Sequence, residues 1–238
     1  MIPSFVNLGV PIYNRDSPES SSLTNQQEVF SWRKQIVQKT HQKDAKPIKN
    51  MENTFVKENL ETIILRRGST RRFSHDSISL EQIYTILNRS ANGIISDFEE
   101  ENINDIYLIS NAVDGLEQGS YFYNKEYRSL EILQKGKFRD ISGHLGLDQN
   151  LSYDASVTIF FMTDLQNILE RFGNRGYRVA QLDASIMGGR MYLASYALHI
   201  GATGLTFYDD EVTEFFLPHA SKKSTMFMIA MGKKVKKS

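Results

Sequence analysis

The residues best suited to chemistry lie together in one stretch, Ile64-Leu65-Arg66-Arg67-Gly68-Ser69-Thr70-Arg71-Arg72-Phe73. It holds four arginines, two hydroxyl side chains and a glycine, and it follows the expected end of a helix. Arginine forks suit phosphate or carboxylate, glycine lets a backbone approach closely, and freed backbone N–H groups can join in holding an anion. The stretch therefore predicts a phosphate-binding corner. A solvated basic helix end that offsets the helix dipole is the structural alternative.

Composition and charge narrow the classes of function. Across 238 residues the 28 basic side chains equal the 28 acidic ones, and this neutrality argues against a general nucleic-acid binder. No cysteine is present, which excludes disulfides, thiolate metal sites, iron–sulfur clusters and a cysteine nucleophile. The five histidines form no metal motif, so no metal is expected. With no signal-peptide pattern and no apolar run long enough to span a membrane, we expect a cytoplasmic protein without a membrane partner.

Periodicity predicts the elements that would position the basic stretch. Val56, Leu60 and Ile63 recur at helical spacing, and this helix should end at 66–68. Ser79 and Gln82 form a capping box that opens the next helix. We further expect strands at 106–110, 119–124, 130–133, 155–162 and 225–231, helices at 164–172 and 177–199, and a loop at 201–208 followed by a short helix.

These elements predict an α+β or α/β sandwich, because the strand at 155–162 is apolar enough to be covered on both faces. The helix at 177–199 carries several Ala, Ser and Gly residues, which suits a central core helix or a subunit interface. Residues 1–50 are poorly patterned and form an N-terminal extension, which either wraps the main domain or a partner subunit or is loosely attached. The main domain is expected at 51–238, and the lysine-rich tail at 233–237 is interpreted as a solubilising end.

The segment Arg67-Gly68-Ser69-Thr70-Arg71-Arg72-Phe73 resembles the R-x-S-x-R-x-F motif of the FMN-dependent nitroreductase family. Stretches at 115–123, 173–178, 201–210 and 226–232 resemble its SagB-type branch, which includes azoline dehydrogenases and peptide-synthetase oxidase domains. The resemblance runs from about residue 55 to the C-terminus. It implies a nitroreductase-like α+β fold, with a central, mostly antiparallel sheet flanked by helices. It also implies a homodimer that binds FMN at the subunit interface.

The resemblance assigns cofactor contacts to the basic stretch and to two later segments. Arg67, Gly68, Ser69 and Arg71 would hold the phosphate and ribityl chain of FMN. Two arginine forks can neutralise a phosphate that carries about two negative charges. The turn Gly204-Leu205-Thr206 resembles the loop whose backbone N–H faces the reactive edge of the flavin ring.

Other candidate site residues are two lysines and a pair at the start of the long helix. Lys222 and Lys223 fall near a family position where basic residues reach the phosphate, with a surface pair as the alternative. Tyr177 and Arg178 lie in a stretch that resembles the region supplying catalytic groups to azoline dehydrogenases.

The activity implied by the resemblance is ping-pong hydride transfer through bound FMN, to or from a small organic substrate. NAD(P)H or the substrate itself would be the electron donor. The first alternative is a SagB-type dehydrogenase that oxidises a thiazoline or oxazoline in a peptide. The second is a catalytically inactive flavin-binding scaffold, which is favoured by the interval 92–101. That interval is short and acidic where the SagB-type proteins carry a Pro-Ser-x-Gly segment that contacts flavin.

Overall fold

A six-stranded antiparallel sheet forms the centre of the protein in the computed structural model, which describes residues 58–91 and 103–235. The strand order is β5-β4-β2-β6-β8-β7. The strands are β2 (Asp105–Ser110), β4 (Gly119–Asn124), β5 (Ser129–Lys135), β6 (Val157–Thr163), β7 (Gly201–Leu205) and β8 (Ser224–Gly232). A separate short parallel pair joins β1 (Ile78–Ser79) to β3 (Val113–Asp114). The expectations for the extension at 1–50 and for the interval at 92–101 lie outside the described residues.

Helices surround this sheet and are packed on both of its faces. They are α1 (Leu60–Arg66), α2 (Leu80–Ser90), α3 (Arg139–Leu145), α4 (Asn150–Asp154), α5 (Leu165–Phe172), α6 (Gly176–Ala197) and α7 (Asp209–Phe215). The predicted capping box at the start of α2 is present, with the Ser79 and Gln82 side chains each bonded to the other's backbone N–H. No helix among the described residues is long and apolar enough to cross a membrane.

Successive side chains of the central strands point to opposite faces of the sheet, and this divides the core into two layers. Ile106, Ile159 and Phe161 contribute to one layer, where α2, α5 and α6 pack. Tyr107 and Phe160 contribute to the other, where α3, α4 and α7 pack. Every residue of β6 is buried, as its apolar, β-branched sequence predicted. The predicted nitroreductase-like arrangement of a central antiparallel sheet and flanking helices is therefore confirmed.

The sequence-based prediction was wrong mainly for the segment 201–208. It was expected to be a loop, but its first five residues form the edge strand β7, which pairs along its length with β8. Glycines normally disfavour a strand, but here close neighbours require them. A Cβ at Gly201 would lie 2.5 Å from Thr70 Oγ1, and one at Gly204 would lie 2.9 Å from Phe227 Cζ. Gly204 and Leu205 therefore belong to a strand, and Thr206 follows its end.

Candidate cofactor site

The basic stretch leaves the end of α1 and runs along the outer edge of β7. The Thr70 N–H donates to the Ala202 carbonyl at 2.9 Å, and Phe73 forms a β-bridge with Lys234 just beyond β8. These backbone contacts fix Thr70 and Phe73, both of which are buried. The structure leaves Arg67, Ser69 and Arg71 exposed to solvent, and these residues lie between and beside the two buried ones. The local geometry thus holds the backbone and leaves the polar side chains accessible.

The arginines of this stretch differ in their partners. Arg66 forms a two-point contact with the Glu58 carboxylate at 2.6 and 2.7 Å, and it also donates to the Tyr196 carbonyl. Within the part of the chain that the structure describes, the side chains of Arg67 and Arg71 have no acidic partner. Arg66 therefore acts as a structural residue, whereas Arg67 and Arg71 retain their full capacity to bind an anion.

Lys233 and Lys234 lie beside the basic stretch, although the sequence alone suggested a solubilising tail. The Lys233 carbonyl accepts the Ser74 N–H at 2.8 Å, and the Val235 N–H donates to the Arg72 carbonyl at 3.3 Å. These backbone contacts place residues 233–235 beside the basic stretch. No local pattern could have indicated this, because the bonded segments are about 160 residues apart.

Lys222 and Lys223 lie at the opposite end of β8 from the basic stretch. The nine residues of this strand span about 27 Å, so the structure does not bring these lysines and the arginines together within one chain. Lys223 is bonded to the Asp105 carboxylate, and only 17% of its side-chain surface is exposed. Burial alone would raise the pKa of Asp105, but the ammonium groups of Lys223 and Lys125 outweigh it and hold that pKa below its ordinary value. Lys223 therefore stabilises this corner of the sheet.

The end of β7 contacts both α6 and the loop that follows α3. The Gly204 N–H donates to the Tyr192 hydroxyl, so this donor has a partner within the protein. The Thr206 hydroxyl accepts a bond of 3.1 Å from the Gln149 side chain. Thr206 lies about 13 Å along the chain from Ala202, where the basic stretch is attached. One elongated ligand could therefore reach both places.

A charged cluster beside Thr206 connects two further segments. The His144 ring lies between two carboxylates, with Nδ1 2.8 Å from Asp148 and Nε2 2.7 Å from Glu211. Because both ring nitrogens face an acceptor, the hydrogen bonds to Asp148 and then to Glu211 raise the pKa of His144. The same contact lowers the pKa of the Asp148 carboxyl. This cluster attaches the start of α7 to the turn after α3.

Tyr177 and Arg178 occupy the first turn of α6 and are exposed. The Tyr177 hydroxyl accepts a bond of 3.2 Å from Gln181 on the next turn. Tyr196, which contacts the basic stretch, lies near the other end of the same helix, about 28 Å away. Within one chain, Tyr177 and Arg178 are thus separate from the basic stretch, and their catalytic role stays a prediction.

Comparison with known proteins assigns the family. The family model described as "Nitroreductase family" matches residues 64–233, which begin at the basic stretch and end just after β8. The chain belongs to the nitroreductase family. Nitroreductases as a family are flavin-dependent oxidoreductases. No curated protein matches the chain closely enough to serve as a relative.

Solved nitroreductases share the fold described above. A putative nitroreductase from Anabaena variabilis aligns with a TM-score of 0.69 and 26% identity, over 74% of this chain and 38% of that one. The chain thus spans less than half the length of that relative. A putative nitroreductase from Ralstonia eutropha aligns with a TM-score of 0.65 and 16% identity, over 82% and 91% of the two chains.

A third similar structure is the Escherichia coli microcin synthetase McbBCD complex with truncated pro-MccB17 bound. The alignment has a TM-score of 0.61 and 13% identity, and it covers 84% of this chain and 81% of that one. At this identity the likeness concerns the fold alone. The more specific SagB-type assignment therefore stays a prediction.

Proposed function

We propose that this nitroreductase-family chain is an FMN-dependent oxidoreductase, in which Arg67, Ser69 and Arg71 hold the cofactor phosphate. The proposal rests on one observation: Arg66 is paired with Glu58, whereas its neighbours Arg67 and Arg71 are not paired with any carboxylate that the structure describes. These two have no acidic partner among residues 58–91 and 103–235. Unpaired arginine forks on a fixed backbone are a suitable arrangement for a dianionic phosphate.

The residues at the phosphate end of the edge strand are suited to FMN. Lys234 adds positive charge near the phosphate end, whereas Lys222 and Lys223 lie too far away to do so within one chain. A Cβ at Gly68 would meet nothing within 4 Å, so a ligand can approach the backbone there. The segment Gly204–Thr206 would face the ring at the other end. When bound, FMN would supply hydride transfer, and the protein would supply position and charge.

The catalytic cycle in this proposal is ping-pong oxidoreduction of a small organic substrate, with NAD(P)H or the substrate as the donor. A homodimer is part of the proposal because α1 and α6 pack together and display exposed apolar side chains. Leu65 is 80% exposed, Leu60 is 58% exposed and Leu182 on α6 is 49% exposed. Apolar surface of this kind is favourable for burial against a second copy. A partner subunit is also one means of bringing Tyr177 and Arg178 to a flavin.

The test is flavin binding by the double variant Arg67→Ala/Arg71→Ala. Each charge-assisted hydrogen bond is worth about 1.5 kcal/mol or more, so the FMN dissociation constant should rise about a hundredfold or more. The double variant Arg89→Ala/Arg128→Ala removes the same net charge from exposed positions elsewhere and should bind FMN as the wild type does. Unchanged FMN affinity in the first variant would contradict the site assignment.

Anaerobic titration of the flavin-loaded protein then distinguishes the types of reaction. Bleaching of the flavin absorption by NADH or NADPH is expected for a reductase. Bleaching by a thiazoline- or oxazoline-containing peptide without a nicotinamide would instead indicate the azoline dehydrogenase alternative. A protein that retains FMN but is bleached by neither class of donor would correspond to the inactive scaffold.

A further inference from the structure

Tyr196, in the last turn of α6, contacts the basic stretch through its hydroxyl group. Its side chain is buried, and the hydroxyl donates to the Gly68 carbonyl at 2.6 Å. The same oxygen lies 3.3 Å from Thr70 Oγ1. Because a tyrosine has one proton and Gly68 receives it, the Thr70 hydroxyl is the donor in this second bond. One hydroxyl therefore connects the Gly68 backbone carbonyl to the Thr70 side chain.

The bond to Gly68 also fixes the orientation of the next amide. In a trans peptide the carbonyl and the N–H point in opposite directions. Since the Gly68 carbonyl points at Tyr196, the Ser69 N–H points away from Tyr196. The space beside Gly68 is open, because a Cβ there would meet nothing within 4 Å among the described residues. The Ser69 N–H has no acceptor among the described residues, so this backbone donor is left available to a ligand.

The aromatic ring of Tyr196 supports a third segment. The Lys234 ammonium lies 3.8 Å from the ring centroid, at the distance of a cation–π contact. Lys234 is brought there by its β-bridge with Phe73. The Tyr196 carbonyl in addition accepts a bond of 2.7 Å from Arg66. Tyr196 thus holds the arginine stretch and the nearby lysine in one arrangement.

We infer that Tyr196 is the positioning residue that gives this site its selectivity for a phosphorylated flavin. Its hydroxyl orients the Gly68–Ser69 peptide toward the phosphate, and its ring places Lys234 beside the same corner. The inference rests on the FMN site proposed above and adds a specific consequence. Loss of the hydroxyl should weaken binding of FMN but should leave binding of riboflavin, which has no phosphate, unchanged.

The experiment compares Tyr196→Phe with the matched control Tyr121→Phe in the full chain. Tyr121 is equally buried and also donates to a backbone carbonyl at 2.6 Å, that of Glu117, but it lies on β4, four strands away from β7. Dissociation constants for FMN and for riboflavin would be measured by quenching of flavin fluorescence. Tyr196→Phe should weaken FMN binding about five- to tenfold, as expected for one lost hydrogen bond, and change riboflavin binding less than twofold. Tyr121→Phe should change neither.

The outcomes distinguish failure of the role inferred for Tyr196 from failure of the proposed FMN site. A wild-type protein that prefers FMN, together with a Tyr196→Phe variant that keeps this preference, would overturn the inference and leave the FMN site in place. Equal weakening of both flavins would also overturn it, because that result indicates general damage. A wild-type protein that binds neither flavin would reject the proposed function itself. If Tyr196→Phe does not fold, Thr70→Val removes the neighbouring hydroxyl and should lower FMN affinity about threefold without affecting riboflavin.

Discussion

Two adjacent glycines in α6 offer a sharp test of how this helix packs on the sheet. A Cβ at Gly188 would lie 2.6 Å from Phe227 Cε1, whereas one at Gly189 would meet nothing within 4 Å. Phe227 is half-buried and lies between α6 and β7, because a Cβ at Gly204 on β7 would lie 2.9 Å from the same ring. Gly188→Ala must therefore displace the ring or lift α6 from the sheet, and Gly189→Ala requires neither.

The expected energies follow from this difference in surroundings. Replacing a glycine inside a helix by alanine stabilises the folded state by about 0.5–1 kcal/mol, and both variants share this gain. Overpacking of a filled site costs about 1–3 kcal/mol, and only Gly188→Ala incurs this cost. The free energies of unfolding of the two variants should therefore differ by about 1–3 kcal/mol, with Gly189→Ala the more stable. Because both variants gain the same helix stabilisation, the difference between their free energies of unfolding measures the packing of Phe227.

The measurement is urea unfolding of both variants without flavin, with the free energy obtained by linear extrapolation. The slope with denaturant should match the wild type, since neither change alters how much surface unfolding exposes. Gly188→Ala should in addition lower the affinity for FMN, because Phe227 packs against the strand that carries Gly204. Equal stability of the two variants would refute the view that Phe227 is confined between α6 and β7.

Two further predictions concern charged groups outside the proposed cofactor contacts. The pKa of His144 is raised in the folded state, so its bonds to Asp148 and Glu211 stabilise the folded state fully below about pH 6.5. This stabilisation is lost as the pH rises through the raised pKa. The difference in melting temperature between the wild type and His144→Gln should thus be larger at pH 6 than at pH 9, and a difference independent of pH would contradict this. Asp105→Asn leaves the Lys223 ammonium without its carboxylate partner and should lower the free energy of unfolding in urea by about 1–3 kcal/mol. The loss is smaller than for a fully buried pair because 31% of the Asp105 side chain is exposed. Unchanged stability would show that the pair contributes nothing.

The elements that could be predicted from the sequence are those specified by local signals. The capping box of Ser79 and Gln82 lies within four residues and was found where expected. The continuous apolar run of β6 indicated a strand covered on both faces, and the structure confirms it. Strand β7 was missed because its glycines signal a turn when they are considered alone. The partners that make it a strand, β8 and the segment containing Thr70, are distant in the chain.

The candidate site shows the same distinction between local chemistry and long-range position. The chain contains two Lys-Lys pairs, at 222–223 and 233–234, and β8 lies between them. Their side chains are chemically identical, so residue type cannot indicate which pair accompanies the arginines. The bonds between Thr70 and Ala202 and between Phe73 and Lys234 place the second pair at that corner. The first pair is left about 27 Å away, where Lys223 binds Asp105 instead. Which lysine pair lies beside the arginines is therefore determined by strand pairing, which the basic stretch alone does not encode.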